Sequence, residues 1–259
     1  MTERTIVSPS TGPVVLGLSL PVGSVRVQVD ERLPMARVVL STEDSTGPAA
    51  DAVARARFHQ EGQALGIEVP EMPADVMVQS RRGNRVVQSV GTVYGSITGL
   101  TIVNGQVISG SHIGGGMRSV SAVTAMVYLP VGSSLAVVST SADAEVFGYL
   151  ERIEFRSTSG DLHADGARDL SASTTSGDIT AGRITESISA RSVSGDIGVD
   201  LYDGRSADLS TTSGDVRVHA TSSASGTVRA VSVSGDVDVY GARHLNVSAQ
   251  TVSGHARTR

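Results

Sequence analysis

The chain contains no cysteine and no tryptophan, and its 259 residues include only three phenylalanines and five tyrosines. The lack of cysteine excludes disulfide bonds and cysteine–zinc sites. Lysine is absent as well, since all 21 basic residues are arginine, which excludes a Schiff-base lysine and the lysine of a P-loop. The hydrophobic core must therefore consist of valine, isoleucine, leucine and alanine.

Charge and hydropathy exclude further classes of protein. The formal net charge is −5, whereas a dedicated nucleic-acid binder usually carries a basic excess, so we expect no nucleic-acid partner. No apolar run approaches the roughly 18 residues of a membrane span. The polar N-terminus lacks the apolar region of a signal peptide, which predicts a cytoplasmic protein.

One tripeptide recurs at intervals of 17 to 21 residues through the C-terminal half. Around each copy, apolar residues alternate with polar ones, which indicates strands with one buried face. Each copy therefore predicts a strand, a corner and a second strand. The copies are Ser-Gly-Asp at 159–161, 176–178, 194–196, 213–215 and 234–236, a degenerate Ser-Ala-Asp at 141–143 and a final Ser-Gly-His at 253–255.

This repeat predicts an all-β fold, a flat β-solenoid of about seven coils of ~18 residues over 121–259. A coil of that length provides at most ~60 Å of extended chain, enough for two strands and two corners. Successive coils would pair at ~4.8 Å in two layers. An antiparallel meander is the alternative topology.

Residues 1–120 predict a further β-strand region with a β-hairpin at 57–69, a short helix at 49–56 and a strand at 37–41. We treat the two regions as one continuous domain. Leu-Pro-Val-Gly-Ser occurs at both 20–24 and 129–133, which predicts the same turn between strands at both places.

At each corner of the solenoid we expect the glycine to adopt a positive φ and the aspartate to accept backbone N–H groups. The hydroxyl residue three positions before each glycine is expected to satisfy backbone groups of the turn. Stacked coils would place the aspartates in one column. A calcium ladder is the functional alternative to this capping role. The column consists of Asp161, Asp178, Asp196, Asp215 and Asp236.

A glycine-rich insertion over 84–116 departs from the repeat. We expect it to form either tight β-coils of its own or a long hairpin. Its short valine and isoleucine pieces make it a candidate binding or self-association segment, with the tip as the contact; a flexible insertion without a binding role is the alternative. The tip residues are His112, Ile113, Gly114, Gly115 and Gly116.

No catalytic constellation emerges from the sequence. The six histidines share no metal-ligand spacing, and no Gly-x-Ser-x-Gly elbow or dinucleotide-binding motif is present. Paired carboxylates of the kind that polysaccharide-active solenoids use are already explained by the corners. We therefore expect no enzyme activity, cofactor or metal.

Leu-Pro-x-Gly-Ser followed by several Ser-Gly-Asp-[Ile/Val] repeats resembles the toastrack family of bacterial β-strand-repeat proteins, which are often labelled adhesins. The resemblance covers 121–259 and extends over 14–70. It implies a β-solenoid-like fold without known catalysis and an association with envelope-stress signalling systems.

These observations predict a non-enzymatic binding or scaffold module, associated with bacterial envelope-stress or signalling complexes through a protein partner. The alternative is a self-assembling structural protein that associates through its solenoid ends or the insertion. An adhesin or a polysaccharide-active enzyme is the less favoured interpretation.

Overall fold

A computed structural model describes residues 1–73, 76–82, 85–90, 100–103, 106–109 and 118–259. These ranges contain one helix, α1 (Pro48–Ala54), and 23 strands. The strands are β1 (Thr2–Val7), β2 (Val15–Ser19), β3 (Val22–Asp30), β4 (Arg37–Thr42), β5 (Arg57–Glu61), β6 (Ala64–Glu68), β7 (Val76–Arg82), β8 (Arg85–Val90), β9 (Leu100–Val103), β10 (Gln106–Ser109), β11 (Arg118–Ser121), β12 (Val123–Pro130), β13 (Ser134–Val138), β14 (Ser141–Arg156), β15 (Leu162–Ser173), β16 (Ile179–Arg191), β17 (Ile197–Tyr202), β18 (Ser206–Ser213), β19 (Val216–Ala220), β20 (Thr227–Ser234), β21 (Val237–Tyr240), β22 (Asn246–Ser253) and β23 (Ala256–Thr258).

Most of these strands form two stacked sheets with the core between them. The first sheet has the order β1-β4-β12-β3-β14-β15-β16-β17-β19-β21-β23. The second has the order β5-β6-β2-β13-β14-β15-β16-β18-β20-β22. Strands β14, β15 and β16 belong to both, because each bends at a corner and continues from the first sheet into the second.

Successive coils pair in parallel, which confirms the solenoid and excludes the antiparallel meander. Ile179, for example, lies in parallel register between Leu162 of the preceding coil and Ile197 of the following one. All three side chains are buried. Their polar neighbours along each strand face outward, as the alternating sequence pattern predicts.

The N-terminal strand pair β2 and β3 is a coil out of chain order. β3 lies between β12 and β14 and pairs in parallel with both. β2 occupies the matching place in the second sheet, beside β13. The N-terminal region and the repeats therefore share the same two sheets.

The N-terminal end of the solenoid carries the elements that were expected there. β5 and β6 form the predicted antiparallel hairpin, β4 is the predicted early strand, and α1 packs buried Ala49, Ala52 and Val53 against β1 and β4. Within the insertion, β9 pairs antiparallel with β10, and β8 pairs antiparallel with β7, which precedes the insertion. β11 adds to β7 in parallel.

The two Leu-Pro-Val-Gly-Ser phrases do not form the same turn, so that prediction is wrong. Gly23 lies inside β3, where it has a positive φ of +145° and a Cβ would overlap the carbonyl of Val123. Gly132 instead has φ +81°, in the turn between β12 and β13, and packs beside Pro13. The same five residues serve opposite corners of the coil because different neighbours surround them.

The glycines of the Ser-Gly-Asp corners are required by a close approach between coils. A Cβ at Gly177 or Gly195 would lie less than 3.0 Å from the carbonyl oxygen of the corner glycine one coil earlier. Neither glycine has a positive φ, so the expected conformational reason is wrong for them. The backbone of one corner rests directly on the backbone of the next. Glycine is needed there because any side chain would fill the space between them.

The hydroxyl residue before each corner satisfies that same carbonyl, as expected. Ser192 Oγ donates to the carbonyl of Gly177 at 3.2 Å, and Thr211 Oγ1 donates to that of Gly195 at 3.0 Å. Both side chains are buried. A buried carbonyl without a partner would destabilise the fold, so these hydroxyls hold adjacent coils together.

The opposite corner contains an ion pair that joins three consecutive coils. Thr221 Oγ1 donates to Asp203 Oδ1, and Arg183 Nε donates to Asp203 Oδ2 at 2.6 Å. The hydrogen bond from Thr221 and the guanidinium of Arg183 outweigh burial and lower the pKa of Asp203. Its carboxylate therefore stabilises the folded state.

We predict that Gly195→Ala destabilises the protein by more than about 2 kcal/mol, because its Cβ overlaps the backbone of the preceding coil. Gly198→Ala in the same coil is the matched control. Its Cβ meets no atom within 4 Å, so we expect a stabilisation of about 0.5 to 1 kcal/mol. Urea unfolding measures both, and equal free energies for the two variants would contradict the close-approach explanation.

A second prediction concerns pH. Because the pKa of Asp203 is lower in the folded state, its contribution is present above the unfolded pKa and is lost as pH falls through the folded value. Asp203→Asn should therefore melt at a lower temperature than wild type at pH 7, corresponding to a loss of about 1 to 2 kcal/mol of stability, and the difference in stability should narrow toward pH 3. Exposed Asp200→Asn serves as control. A gap independent of pH would contradict this role of the carboxylate.

Candidate binding site

The corner aspartates form the predicted column, and each carboxylate contacts the next coil. The backbone N–H of Asp178 donates to Asp161 Oδ1 at 3.0 Å, and that of Asp196 donates to Asp178 Oδ1 at 2.8 Å. The pattern continues through Asp215, Asp236 and the N–H of His255. Each aspartate therefore caps a backbone N–H of the following coil.

This arrangement leaves fewer carboxylate oxygens free to bind a cation than the sequence pattern alone suggests. One oxygen of each of the five aspartates already accepts an N–H. Arg217 pairs with Asp215 at 2.8 Å, and Arg257 pairs with Asp236 at 3.4 Å. Across the ranges that the structure describes, no group of three or more His, Asp or Glu side chains is arranged to hold a metal ion.

The N–H of His255 is also the main reason that the pKa of Asp236 is lowered, with the His255 ring and Arg257 contributing further. The Asp236 carboxylate thus acts as a hydrogen-bond acceptor in its charged form. The predicted contact residues of the insertion, His112, Ile113, Gly114, Gly115 and Gly116, lie outside the described residues.

A different surface emerges on the outer face of the second sheet, which we call the trough. Its floor is a row of small residues that are direct cross-strand neighbours in β6, β2 and β13: Gly66, Gly17 and Ala136. Val15 and Val138, each 54 % exposed, lie on its two sides. The depression has a volume of about 630 Å³, and Phe58 and His59 of β5 also line it.

Charged strands bound the trough at both ends. β5 presents Arg57, His59 and Glu61, and β14 presents Arg152, Glu154 and Arg156, all exposed. Among the nine outward positions of the three strands between them, Glu68 is the single charged residue. The trough is therefore an apolar strip about three strands wide on an otherwise polar face.

The floor is flat because the sequence places small residues where the fold does not require them. A Cβ at Gly17 would meet no atom within 4 Å, and its φ is not positive. Glycine inside a strand destabilises it by about 0.5 to 1 kcal/mol relative to alanine. Unlike Gly195, Gly17 thus has no packing reason to be glycine, and its effect is to leave the backbone exposed.

The same face continues into a hydroxyl-rich depression of about 360 Å³ over β14, β15, β16 and β18. Ser171, Ser187, Ser189 and Ser206 contribute the hydroxyls, and Asp169 accepts a hydrogen bond from Ser187 Oγ. The outer face of the second sheet therefore changes from apolar to polar along the solenoid axis.

The trough was not predicted from the sequence. The signal was present in part, because glycine alternates with leucine or isoleucine at Leu16-Gly17-Leu18 and Leu65-Gly66-Ile67. The register that brings these glycines and Ala136 into one row joins segments about 50 to 120 residues apart, which no local pattern reveals.

Parallel coils in two layers, with ladders of glycine, hydroxyl and carboxylate groups at the corners, define a β-solenoid repeat protein. Within that class the chain belongs to the Toastrack DUF4097 family, whose model matches residues 99–259. The resemblance inferred from the repeats is thereby confirmed. No curated protein matches the chain. None of the helices in the described ranges is long and apolar enough to cross a membrane.

One solved structure shows the same fold at low sequence identity. Two crystal structures, each described as a "putative adhesin", are similar over nearly the whole chain. The protein from Bacteroides fragilis NCTC 9343 is 10% identical, with a TM-score of 0.55 and coverage of 100% of this chain and 97% of that one. The protein from Parabacteroides merdae ATCC 43184 is 9% identical, with a TM-score of 0.44 and coverage of 99% and 95%. The first of these supports the shared fold.

We predict that calcium does not stabilise the protein. A ligand that binds only the folded state raises its stability, but one oxygen of each column aspartate is already bound to an N–H. The melting temperature should be equal in EDTA and in millimolar calcium, as read by circular dichroism. A calcium-dependent rise that Asp178→Asn and Asp196→Asn abolish would establish the ladder instead.

Proposed function

We propose that this protein is a non-enzymatic binding module that contacts a partner protein through the trough. The observation that supports this most directly is the uncovered apolar floor at Gly17, Gly66 and Ala136, between the two charged strands β5 and β14. Exposed apolar surface rimmed by polar residues is typical of interaction sites.

The chemistry around the trough favours binding over catalysis. Its floor is backbone and small side chains, which offer no nucleophile. His59 is the one histidine along its lining. In the described part of the chain, no hydrogen bond links His59 to a hydroxyl or a carboxylate. A nucleophile and a base within hydrogen-bond reach of each other, the usual mark of covalent catalysis, are therefore missing at this surface.

The solenoid also suits a scaffold role. The strands of the trough are fixed to one another by continuous backbone pairing, so the trough is a surface that needs little reordering when it binds. The family resemblance extends the proposal to complexes of bacterial envelope-stress signalling. Attachment to a surface, as the names of the similar structures suggest, is another form that such a contact can take.

Filling the trough tests the proposal. Gly17→Gln places a long neutral side chain on the floor, and the absence of any atom within 4 Å of its Cβ means that the fold should tolerate it. Gly198→Gln is the matched control, since its Cβ is equally unobstructed on the outer face of the other sheet. Crosslinking in cells, followed by mass spectrometry, compares the partners of both variants with those of the wild type.

We expect at least one partner to be lost with Gly17→Gln and kept with Gly198→Gln, at equal melting temperatures. If both variants retain every partner, the trough is not the contact surface. Turnover of a substrate by the purified protein, abolished by Gly17→Gln, would contradict a non-enzymatic role.

Self-assembly is the second candidate, and the edge formed by β22 and β23 favours it. Within the described residues no strand pairs with the outer side of either one, and Val252 beside this edge is 82 % exposed. Unpaired strand edges can add a strand from another copy. Light scattering over a wide concentration range should then detect oligomers that Val252→Lys, a charge of the kind found on protected edges, disperses. A monomer at every concentration contradicts this candidate.

A further inference from the structure

We infer that the occupant of the trough is a short extended segment of a partner protein that lays an aromatic side chain on the floor at Gly17, Gly66 and Ala136. This inference rests on the proposed binding function and names the kind of partner. Three properties of the trough carry it: its area, the flatness of its floor and the charges at its ends.

The trough alone is too small to hold a second folded copy of the chain stably. From β5 to β14 the trough spans four strand spacings, about 19 Å, and the outermost of its three outward rows are about 13 Å apart along the strands. The apolar strip, three strands or about 14 Å wide, therefore covers roughly 190 Å² on this side, whereas a stable interface needs about 800 Å² per partner. About six extended residues are enough to cross 19 Å.

The floor favours a flat group over a branched one. Gly66 and Gly17 contribute no side chain, and Ala136 contributes one methyl group, so the exposed surface consists largely of peptide planes. An aromatic ring laid across neighbouring glycines of a sheet covers such a surface and replaces the missing cross-strand contacts. The side chain of Val138, which lines the trough, then contacts the ring, and exposed Val15 lies in the neighbouring outward row of β2.

The charges at the two ends fit an aromatic, neutral segment. Arg57, Arg152 and Arg156 are exposed, and within the described ranges none of them has an ion pair with a carboxylate. A guanidinium without such a partner can pack over a ring. These three arginines are balanced by three carboxylates, Glu61, Glu68 and Glu154, so the trough has no net preference for an acidic or a basic segment.

The lack of tryptophan in the chain makes the test direct. The probe is the neutral peptide acetyl-Ser-Gly-Trp-Gly-Ser-amide, whose fluorescence has no background from the protein. We expect a saturable blue shift on titration with the wild-type protein and with Gly198→Gln, and a loss of affinity of at least about tenfold with Gly17→Gln. The same peptide with leucine in place of tryptophan should bind about tenfold more weakly.

The amide resonances of Gly17, Gly66 and Ala136 should shift on addition of the tryptophan peptide, which locates the contact. Equal affinity of the leucine peptide, or no saturable change with the wild type, overturns the inference. If neither peptide binds but Gly17→Gln still loses a partner in cells, the proposed function stands and the aromatic segment is wrong. If Gly17→Gln instead disperses an oligomer of the wild-type protein, the occupant is a second copy.

Discussion

The structure depends on how closely one corner of the solenoid rests on the next. At Gly160, Gly177, Gly195 and Gly214 the backbone of one coil passes so near the carbonyl of the previous coil that no Cβ fits. That contact sets the spacing from which the other ladders follow. With the corners in register, the hydroxyl of Ser192 reaches the carbonyl of Gly177, and Asp178 Oδ1 reaches the N–H of Asp196.

At each Ser-Gly-Asp copy, three residue types thus make three different contacts. The hydroxyl two residues before the tripeptide binds a buried carbonyl, the glycine allows the approach, and the aspartate accepts an N–H of the following coil. All three contacts join neighbouring coils, as expected of repeat proteins, in which stability comes from nearest-neighbour interfaces. Since the corners fulfil these structural roles, the search for function moves from the repeated residues to those that break the pattern.

The sequence predicts the repeated part of the fold well and the rest poorly, for a physical reason. Period-two alternation and a regular spacing determine strands, corners and buried faces locally, so the coils, the hairpin of β5 and β6 and the aspartate column could be predicted. The role of the corner glycine could not, because it depends on a backbone one coil away. The trough depends on a register between Gly17, Gly66 and Ala136, residues far apart in the chain. The two identical Leu-Pro-Val-Gly-Ser segments adopt different backbone conformations for the same reason, since the residues packed around each segment determine its turn.

The position of β3 between β12 and β14 has a consequence for how the chain is made. Val25 pairs with Ala125 on one side and with Ala144 on the other, so both neighbours of β3 are synthesised about 100 or more residues later. At 5 to 20 residues per second, the strand leaves the ribosome about 5 to 20 seconds before either neighbour exists. During that interval both of its edges are open. The first coil to emerge is therefore completed only after more than half of the chain has been synthesised, and until then its unpaired strand must not pair with the wrong neighbour.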